Sequence, residues 1–249
     1  MKAKPATEEN IQEAGRIIRD GGIVAFPTET VYGLGADALN PVAVARIFEA
    51  KQRPFFDPLI VHIGEMTQLA RVAAVVPESA RRCAERFWPG PLTMVLPKSD
   101  DIPDIVTAGL STVAVRMPHH DVAYRLLAAA GTPVAAPSAN PFGYISPTDA
   151  DHVVSQLGDR VDMILDGGPC AVGVESTIIR LDESGGAVLR HGGLPVEYVE
   201  EITGKLTEKE TPGGPEAPGQ LPYHYSPLTP VTLVADLKDA EQPSSSHGV

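Results

Sequence analysis

A cluster of polar side chains directly follows a short apolar segment near the amino terminus. Residues 23–26 are bounded by Gly22 and Pro27 and are typical of a buried strand. Residues 27–35, with the sequence PTETVYGLG, then place hydroxyls, a carboxylate and a phenol on a predicted turn that ends in closely spaced glycines. Such groups can point into a cleft, and glycine lets a ligand or another segment come close. An ordinary strand-to-helix connection explains this segment equally well.

A second polar cluster, residues 51–63 (KQRPFFDPLIVHI), begins where a predicted helix ends. Lys51 and Arg53 would complement the negative end of the helix dipole. Two cations on a proline-bounded loop also suit a polyphosphate, with Asp57 available to hold an arginine or a hydroxyl. His62 interrupts the strand that is predicted next, where a histidine is more often a satisfied core residue than a ligand contact.

Further motifs follow these two clusters along the chain. They are STVAVRMP at residues 111–118, APSAN at 136–140 with SPT at 146–148, ESTII at 175–179 and LRHGG at 189–193. Taken together, these six blocks resemble the signature of the threonylcarbamoyl-AMP synthase family, the YrdC-like domain. The match spreads over most of residues 7–204, and any one block alone would be a weak signal.

The resemblance implies an enzyme that makes threonylcarbamoyl-AMP and pyrophosphate from L-threonine, bicarbonate or carbon dioxide, and ATP. The threonine amine would first become a carbamate, whose oxygen would attack the α-phosphate of ATP. Such a reaction needs positioning and stabilisation of phosphate charge, and no covalent nucleophile from the enzyme. The sequence contains neither a nucleophile elbow nor a Walker A loop. The product would serve tRNA N6-threonylcarbamoyladenosine modification through downstream threonylcarbamoyl transferase machinery, with contact to tRNA.

The resemblance also assigns residues to ATP, and most of them have a simpler alternative. Ser138 and Asn140 also suit an ordinary turn, and Arg190 also suits a surface position beside one. Tyr225 would cover the adenosine. The residues expected to bind ATP are Lys51, Arg53, Asp57, Thr112, Ser138, Asn140, Ser146, Arg190 and Tyr225.

A second group of residues is assigned to threonine. The planar fork of Arg116 suits the threonine carboxylate, and because its strand is otherwise apolar, a buried arginine there would need a partner. A buried ion pair is the alternative for Arg116. His62 would hydrogen-bond the substrate or manage the proton of its amine. The residues expected to bind threonine are Thr30, His62, Arg116, Ala136 (through its backbone) and Ser176.

Magnesium is expected as part of the ATP substrate, since dispersed cations rarely neutralise a triphosphate alone. No protein ligand for the ion can be named. The sequence His119-His120-Asp121 looks like a metal cluster, but adjacent side chains diverge. Asp121 is instead expected to cap the helix that follows.

Alternating helix and strand patterns predict an α/β fold with a twisted, mostly mixed sheet flanked by helices and an open concave cleft. Strands are predicted at residues 59–63, 92–96, 112–117, 133–136, 161–165, 174–181 and 187–190, and helices at 77–87, 121–130, 149–157 and 196–203. Residues 1–204 would form the catalytic domain and residues 205–230 a Pro/Gly-rich linker arm folding over the active site. Residues 231–249 would be a remnant strand and a disordered tail.

Composition narrows the class of protein. The 249 residues are 43% hydrophobic and 21% charged, as in globular chains. The formal net charge of −12 weighs against an RNA-binding YrdC-like module, which is one alternative function. The other is a carbamoyl-adenylate enzyme that uses carbamoyl phosphate, usually found in longer chains. Two distant cysteines and the lack of a signal or spanning segment predict a cytoplasmic protein that does not contact membranes.

Overall fold

Helices and strands alternate along the chain, as their hydrophobic patterns predict. The computed structural model describes residues 2–182, 185–208 and 215–220. The helices are α1 (Glu8–Arg19), α2 (Pro41–Lys51), α3 (Leu69–Val72), α4 (Glu78–Phe87), α5 (Asp104–Thr107), α6 (Asp121–Ala130), α7 (Ala150–Gln156) and α8 (Val196–Thr203). The strands are β1 (Lys4–Pro5), β2 (Val24–Phe26), β3 (Gly33–Asp37), β4 (Ile60–His62), β5 (Leu92–Pro97), β6 (Thr112–Arg116), β7 (Val134–Ala135), β8 (Met163–Asp166), β9 (Thr177–Asp182), β10 (Gly185–Arg190) and β11 (Thr207–Glu208).

The described strands form one sheet in the order β1-β8-β2-β3-β7-β4-β6-β5-β9-β10-β11. Strands β4 and β6 run parallel, whereas β4 and β7 run antiparallel, so the predicted mixed α/β sheet is confirmed. Alternate residues of β2 enter different core clusters: Val24 and Phe26 pack with α1 and α6, and Ala25 packs with the cluster that contains α2. Helices therefore cover both faces of the sheet at β2, whereas a third core cluster, on one face of β4, β5, β6, β9 and β10, contains Ala217 and, among the described residues, no helical residue.

The helix starts follow their local signals. The side chain of Thr7 accepts a hydrogen bond from the Asn10 amide at the start of α1, and Asn40 accepts from Val42 and Ala43 at the start of α2. The predicted cap of α6 is wrong. His120, not Asp121, caps this helix, because its Nδ1 accepts the Val122 amide at 3.2 Å.

The glycines predicted to end a turn instead belong to strand β3. This strand pairs antiparallel with β2 on one side and with β7 on the other. A Cβ atom at Gly35 would lie 2.7 Å from Val134 and 2.8 Å from the Phe26 ring. Glycine is therefore required here by close packing inside the sheet, and the polar side chains that precede it lie in the connection between β2 and β3.

The predicted linker arm and tail are described only in part. Residues 205–208 contain β11, and residues 215–220 lie against the end of the sheet, where Ala217 is buried on the apolar surface of β9 and β10. Tyr225 and residues 231–249 lie outside the described residues. Within the described ranges, no helix combines the length and the apolar character needed to cross a bilayer.

Candidate active site

A cleft forms where the ends of β4, β6 and β10 meet three loops. These loops precede β3, follow β7 and precede β9. The cleft is lined by Thr28, Thr30, Val31, Gly33, Arg53, Ile60, His62, Arg116, Ala136, Pro137, Ser138, Glu175, Ser176, Arg190 and Pro218. The structure therefore brings together all five residues assigned to threonine, and it adds Arg53, Ser138 and Arg190 from those assigned to ATP.

Arg116 is the cation at one end of this cleft, which we call the threonine end. Its Nη2 lies 2.7 Å from Oε1 of Glu29, and its Nε donates to the Gly90 carbonyl at 3.3 Å. Both side chains of the ion pair are buried. Neither Glu29 oxygen has an aligned hydrogen bond in the described residues, so the pair is held mainly by charge and burial.

His62 lies beside Arg116, because β4 and β6 are adjacent and in register at these two residues. Burial and the Arg116 charge lower the pKa of His62 from 6.5 to about 3, so the imidazole is neutral near pH 7. Its ring meets Phe26 edge-on at 6.3 Å. Its Nδ1 has no hydrogen-bond partner among the described residues. The neutral ring keeps one N–H donor and one nitrogen acceptor for hydrogen bonds to a substrate, but it is a weak base.

Hydroxyl groups complete the threonine end. The Ser176 hydroxyl lies 2.7 Å from that of Thr93, and the Thr30 hydroxyl lies 2.9 Å from that of Thr28. These four side chains are buried, so each assigned hydroxyl is oriented by a neighbouring threonine. The Ala136 amide donates to the Ile60 carbonyl within the sheet.

Arg53 and Arg190 form what we call the phosphate end, after the group assigned to them; it adjoins the threonine end, because Arg190 donates to the Ser176 carbonyl at 2.8 Å. Arg53 lies 2.8 Å from Asp57, and both side chains are sealed from solvent, at 2% and 0% exposure. Burial raises the pKa of the Asp57 carboxyl, and the Arg53 charge opposes that change. Arg190 lies 2.5 Å from Glu175, and these two side chains are 10% and 12% exposed.

Lys51 does not line the cleft, although the resemblance assigns it to the ATP phosphates. Its ammonium group is buried and donates to the carbonyl oxygens of Ser138 and Asn140, each at 2.5 Å. Burial and the Arg53 charge lower its pKa well below the usual value. The Asn140 amide in turn donates to the Tyr144 carbonyl at 2.7 Å. Lys51 and Asn140 therefore shape the loop that carries Ser138.

The remaining ATP candidates lie outside the cleft lining. Ser146 borders an adjacent pocket of about 300 Å³, and its hydroxyl donates to Glu175 at 2.9 Å. Thr112 lies at the start of β6, on the same face as Arg116 but at the far end of the strand. The roles of Thr112, Asp57 and Tyr225 toward ATP stay predictions.

Sequence reasoning predicted one partner of the cleft arginines, since Asp57 pairs with Arg53, and missed the other two. Glu29 and Glu175 stand inside quoted motifs, yet neither was given a role. The requirement that a buried Arg116 have a partner was the available signal, but it could not say which carboxylate the fold would bring there.

Among the described residues, no three His, Cys, Asp or Glu side chains cluster in a way that could hold a metal ion.

The comparisons with known proteins identify the family of this chain. The family described as Telomere recombination (Sua5, YciO and YrdC) matches residues 16–192. A threonylcarbamoyl-AMP synthase of Pyrococcus abyssi is 48% identical over 93% of this chain and 70% of its own length. The Bacillus subtilis enzyme of the same name is 45% identical over 91% and 67%.

A solved structure shows the same fold with one of the expected substrates. The crystal structure of P. abyssi Sua5 complexed with L-threonine has a TM-score of 0.87 and 48% identity, and the match covers 91% of this chain and 68% of that one. The chain thus spans about two thirds of the length of these relatives. Their names favour the synthase over an RNA-binding module or a carbamoyl-phosphate enzyme. The chain belongs to the Sua5/YrdC family of threonylcarbamoyl-AMP synthases.

Proposed function

We propose that the cleft makes threonylcarbamoyl-AMP and pyrophosphate from L-threonine, bicarbonate or carbon dioxide, and ATP. The observation that carries this proposal is the buried Arg116 beside the neutral His62 at one end of a cleft whose other end carries Arg53 and Arg190. One end suits an amino acid, and the other suits phosphates. The match to Sua5 complexed with L-threonine supports the assignment of the first end.

At the threonine end, Arg116 binds the threonine carboxylate through its planar guanidinium group. The hydroxyls of Thr30 and Ser176 and the ring of His62 hold the amine and hydroxyl groups of the substrate. Because His62 is neutral, it accepts or donates one hydrogen bond without placing a positive charge beside the amine. The neutral form of the substrate amine then attacks carbon dioxide, one N–H bond breaks and its proton passes to water, and the carbamate that forms is the nucleophile.

At the phosphate end, the carbamate oxygen attacks the α-phosphate of ATP, and pyrophosphate leaves with the electron pair of the broken bond. Arg53, Arg190 and the loop that carries Ser138 stabilise the negative charge on the phosphates. Lys51 supports the reaction through this loop, since its ammonium group fixes the carbonyls of Ser138 and Asn140. Positioning and charge stabilisation are the enzyme's contributions.

Magnesium enters as part of the ATP substrate in this proposal. The carboxylates nearest the phosphate end, Asp57 and Glu175, already neutralise arginines. Phosphate oxygens and water are therefore the natural ligands of the ion, which prefers to keep several waters.

We further propose that the protein is cytoplasmic and that its product passes to a threonylcarbamoyl transferase for tRNA N6-threonylcarbamoyladenosine modification, with contact to tRNA during that transfer.

The test is pyrophosphate release from ATP in the presence of magnesium, with threonine and bicarbonate each omitted in turn. The proposal expects release only when both are present and threonylcarbamoyl-AMP as the second product. Release without threonine would indicate another acceptor or simple ATP hydrolysis. No release from folded protein in the complete mixture would contradict the proposed function.

A further inference from the structure

Every arginine that lines the cleft already has a carboxylate partner. The pairs are Arg53 with Asp57 (2.8 Å), Arg116 with Glu29 (2.7 Å) and Arg190 with Glu175 (2.5 Å). The positive charge needed to attract a triphosphate is therefore largely balanced by the protein itself. A phosphate that binds to one of these arginines must share it with the carboxylate or displace the carboxylate.

Of the ion pairs at the phosphate end, Arg190–Glu175 is the one whose two side chains can separate more easily. The Arg53–Asp57 pair is sealed from solvent. Glu175, in contrast, is partly exposed and lines both the cleft and the adjacent pocket. A carboxylate at such a boundary can leave its arginine without entering an apolar core. Arg190 is also held by the carbonyl oxygens of Ser176 and Pro218, at 2.8 and 3.1 Å, so it can stay in place when its carboxylate leaves.

The free volumes of the two cavities that Glu175 lines also favour movement of its carboxylate toward the adjacent pocket. The cleft encloses only about 30 Å³, whereas the adjacent pocket offers about 300 Å³. Ligand sites for small molecules usually provide about 300–1,000 Å³. The cleft itself thus offers little free space for a phosphate group beside Arg190, and the adjacent pocket, which Glu175 and Ser146 both line, has room for the carboxylate to turn into.

The Glu175 carboxylate also interacts electrostatically with the other basic side chains near the phosphate end. It acts to raise the pKa of Lys51 and of Arg53, against the lowering caused by burial. One carboxylate thus offsets part of the positive potential at three basic side chains. Its removal from the cleft would expose that potential to an incoming phosphate.

We propose that Glu175 is a displaceable counter-ion that sets the affinity of this enzyme for phosphate groups. An incoming phosphate takes its place on Arg190, and the carboxylate turns toward the adjacent pocket while keeping its hydrogen bond with Ser146. This inference rests on the proposed function, because it takes the anion to be the triphosphate of ATP or the pyrophosphate product.

The variant Glu175→Gln tests the inference, because it removes the charge while keeping the size and an oxygen for Ser146. We expect it to bind pyrophosphate about tenfold more tightly than the wild type by calorimetry in EDTA, and to show a lower KM for ATP with magnesium. The matched control is Glu200→Gln. It removes the same charge from an ion pair with Lys205, far from the cleft, and leaves pyrophosphate affinity unchanged.

The outcomes separate this inference from the proposed function. Unchanged or weaker pyrophosphate binding by folded Glu175→Gln, with normal binding by the wild type, would overturn the counter-ion role alone. A carboxylate that served only as a structural anchor for Arg190 would give such weaker binding. Failure of the wild type to bind pyrophosphate or ATP would contradict both.

Discussion

The two ends of the cleft hold their arginines in different ways. At the threonine end, Arg116 and Glu29 are buried together at the end of the central strand β6. At the phosphate end, Arg190 and Glu175 are partly exposed and border free space. The difference indicates that the first pair is a fixed part of the architecture and that the second can exchange its carboxylate for a substrate anion. Replacement of the glutamate by glutamine should therefore have opposite effects at the two ends. It should weaken threonine binding at the first and strengthen phosphate binding at the second.

The largest effect should come from Arg116→Ala. It removes the group proposed to bind the threonine carboxylate, and we expect the rate of pyrophosphate release to fall by about 100- to 1,000-fold. It also leaves Glu29 buried without its cation, which costs about 3–5 kcal/mol in the free energy of unfolding. Arg125→Gln, on the surface of α6, is the control and should keep full activity.

A double variant separates the two consequences of losing Arg116. Arg116→Met combined with Glu29→Gln removes both charges, so we expect denaturation midpoints to recover most of the lost stability while activity stays absent. Recovery of threonine-dependent activity in this double variant would show that Arg116 only balances Glu29 and does not bind substrate.

A smaller effect is expected for Glu29→Gln. Because Arg116 then loses the charge that fixes its orientation, we expect the KM for threonine to rise by about tenfold, while the KM for ATP stays unchanged. Steady-state kinetics with each substrate varied in turn would measure this split. Tighter threonine binding by Glu29→Gln would contradict the view that Glu29 is a fixed partner of Arg116, since Glu29 would then behave as Glu175 is proposed to do.

The last prediction concerns the pH dependence of stability and His62, with no change in activity from its titration expected near pH 7. Since its pKa is about 3 in the folded protein and near 6.5 when unfolded, the unfolded state binds the extra proton between these values. The stability that neutral His62 provides is therefore present above about pH 6.5 and is lost as pH falls toward 3. We expect His62→Gln to lose less stability than the wild type between pH 6.5 and 4 in denaturant titrations. An activity step with an apparent pKa near 6.5 that disappears in this variant would contradict a neutral His62.

Much of the fold could be predicted because its signals are local. Thr7 and Asn40 cap their helices because their side chains can accept amide hydrogen bonds, and the mixed sheet follows from the alternation of strand and helix patterns. Strand β3 could not be predicted in this way. Its glycines have no side chains to form a pattern, and the reason for Gly35 lies in Val134 and Phe26, which only the assembled sheet brings near.

The candidate site was predictable in its residue types but only partly in its pairings: Asp57 was available to Arg53 four residues away, whereas the partners of Arg116 and Arg190 come from distant segments. Arg116 could be identified from the sequence because burial of a charged side chain on an otherwise apolar strand costs free energy unless the charge is paired. Its partnership with Glu29 depends on how the loop before β3 folds over β6, which no local pattern encodes. The position of Lys51 behind the Ser138 loop is of the same kind, because burial of a helix end is decided by tertiary packing.

The ammonium group of Lys51 has the surroundings of a monovalent cation site. Two carbonyl oxygens at 2.5 Å and the Asn140 Oδ1 at 3.4 Å converge on it. Truncation by Lys51→Ala would leave these oxygens around a cavity that a free ammonium or potassium ion can fill. We therefore expect this variant to become an enzyme activated by monovalent cations, with pyrophosphate release partly restored by ammonium chloride and not by the bulkier tetramethylammonium chloride.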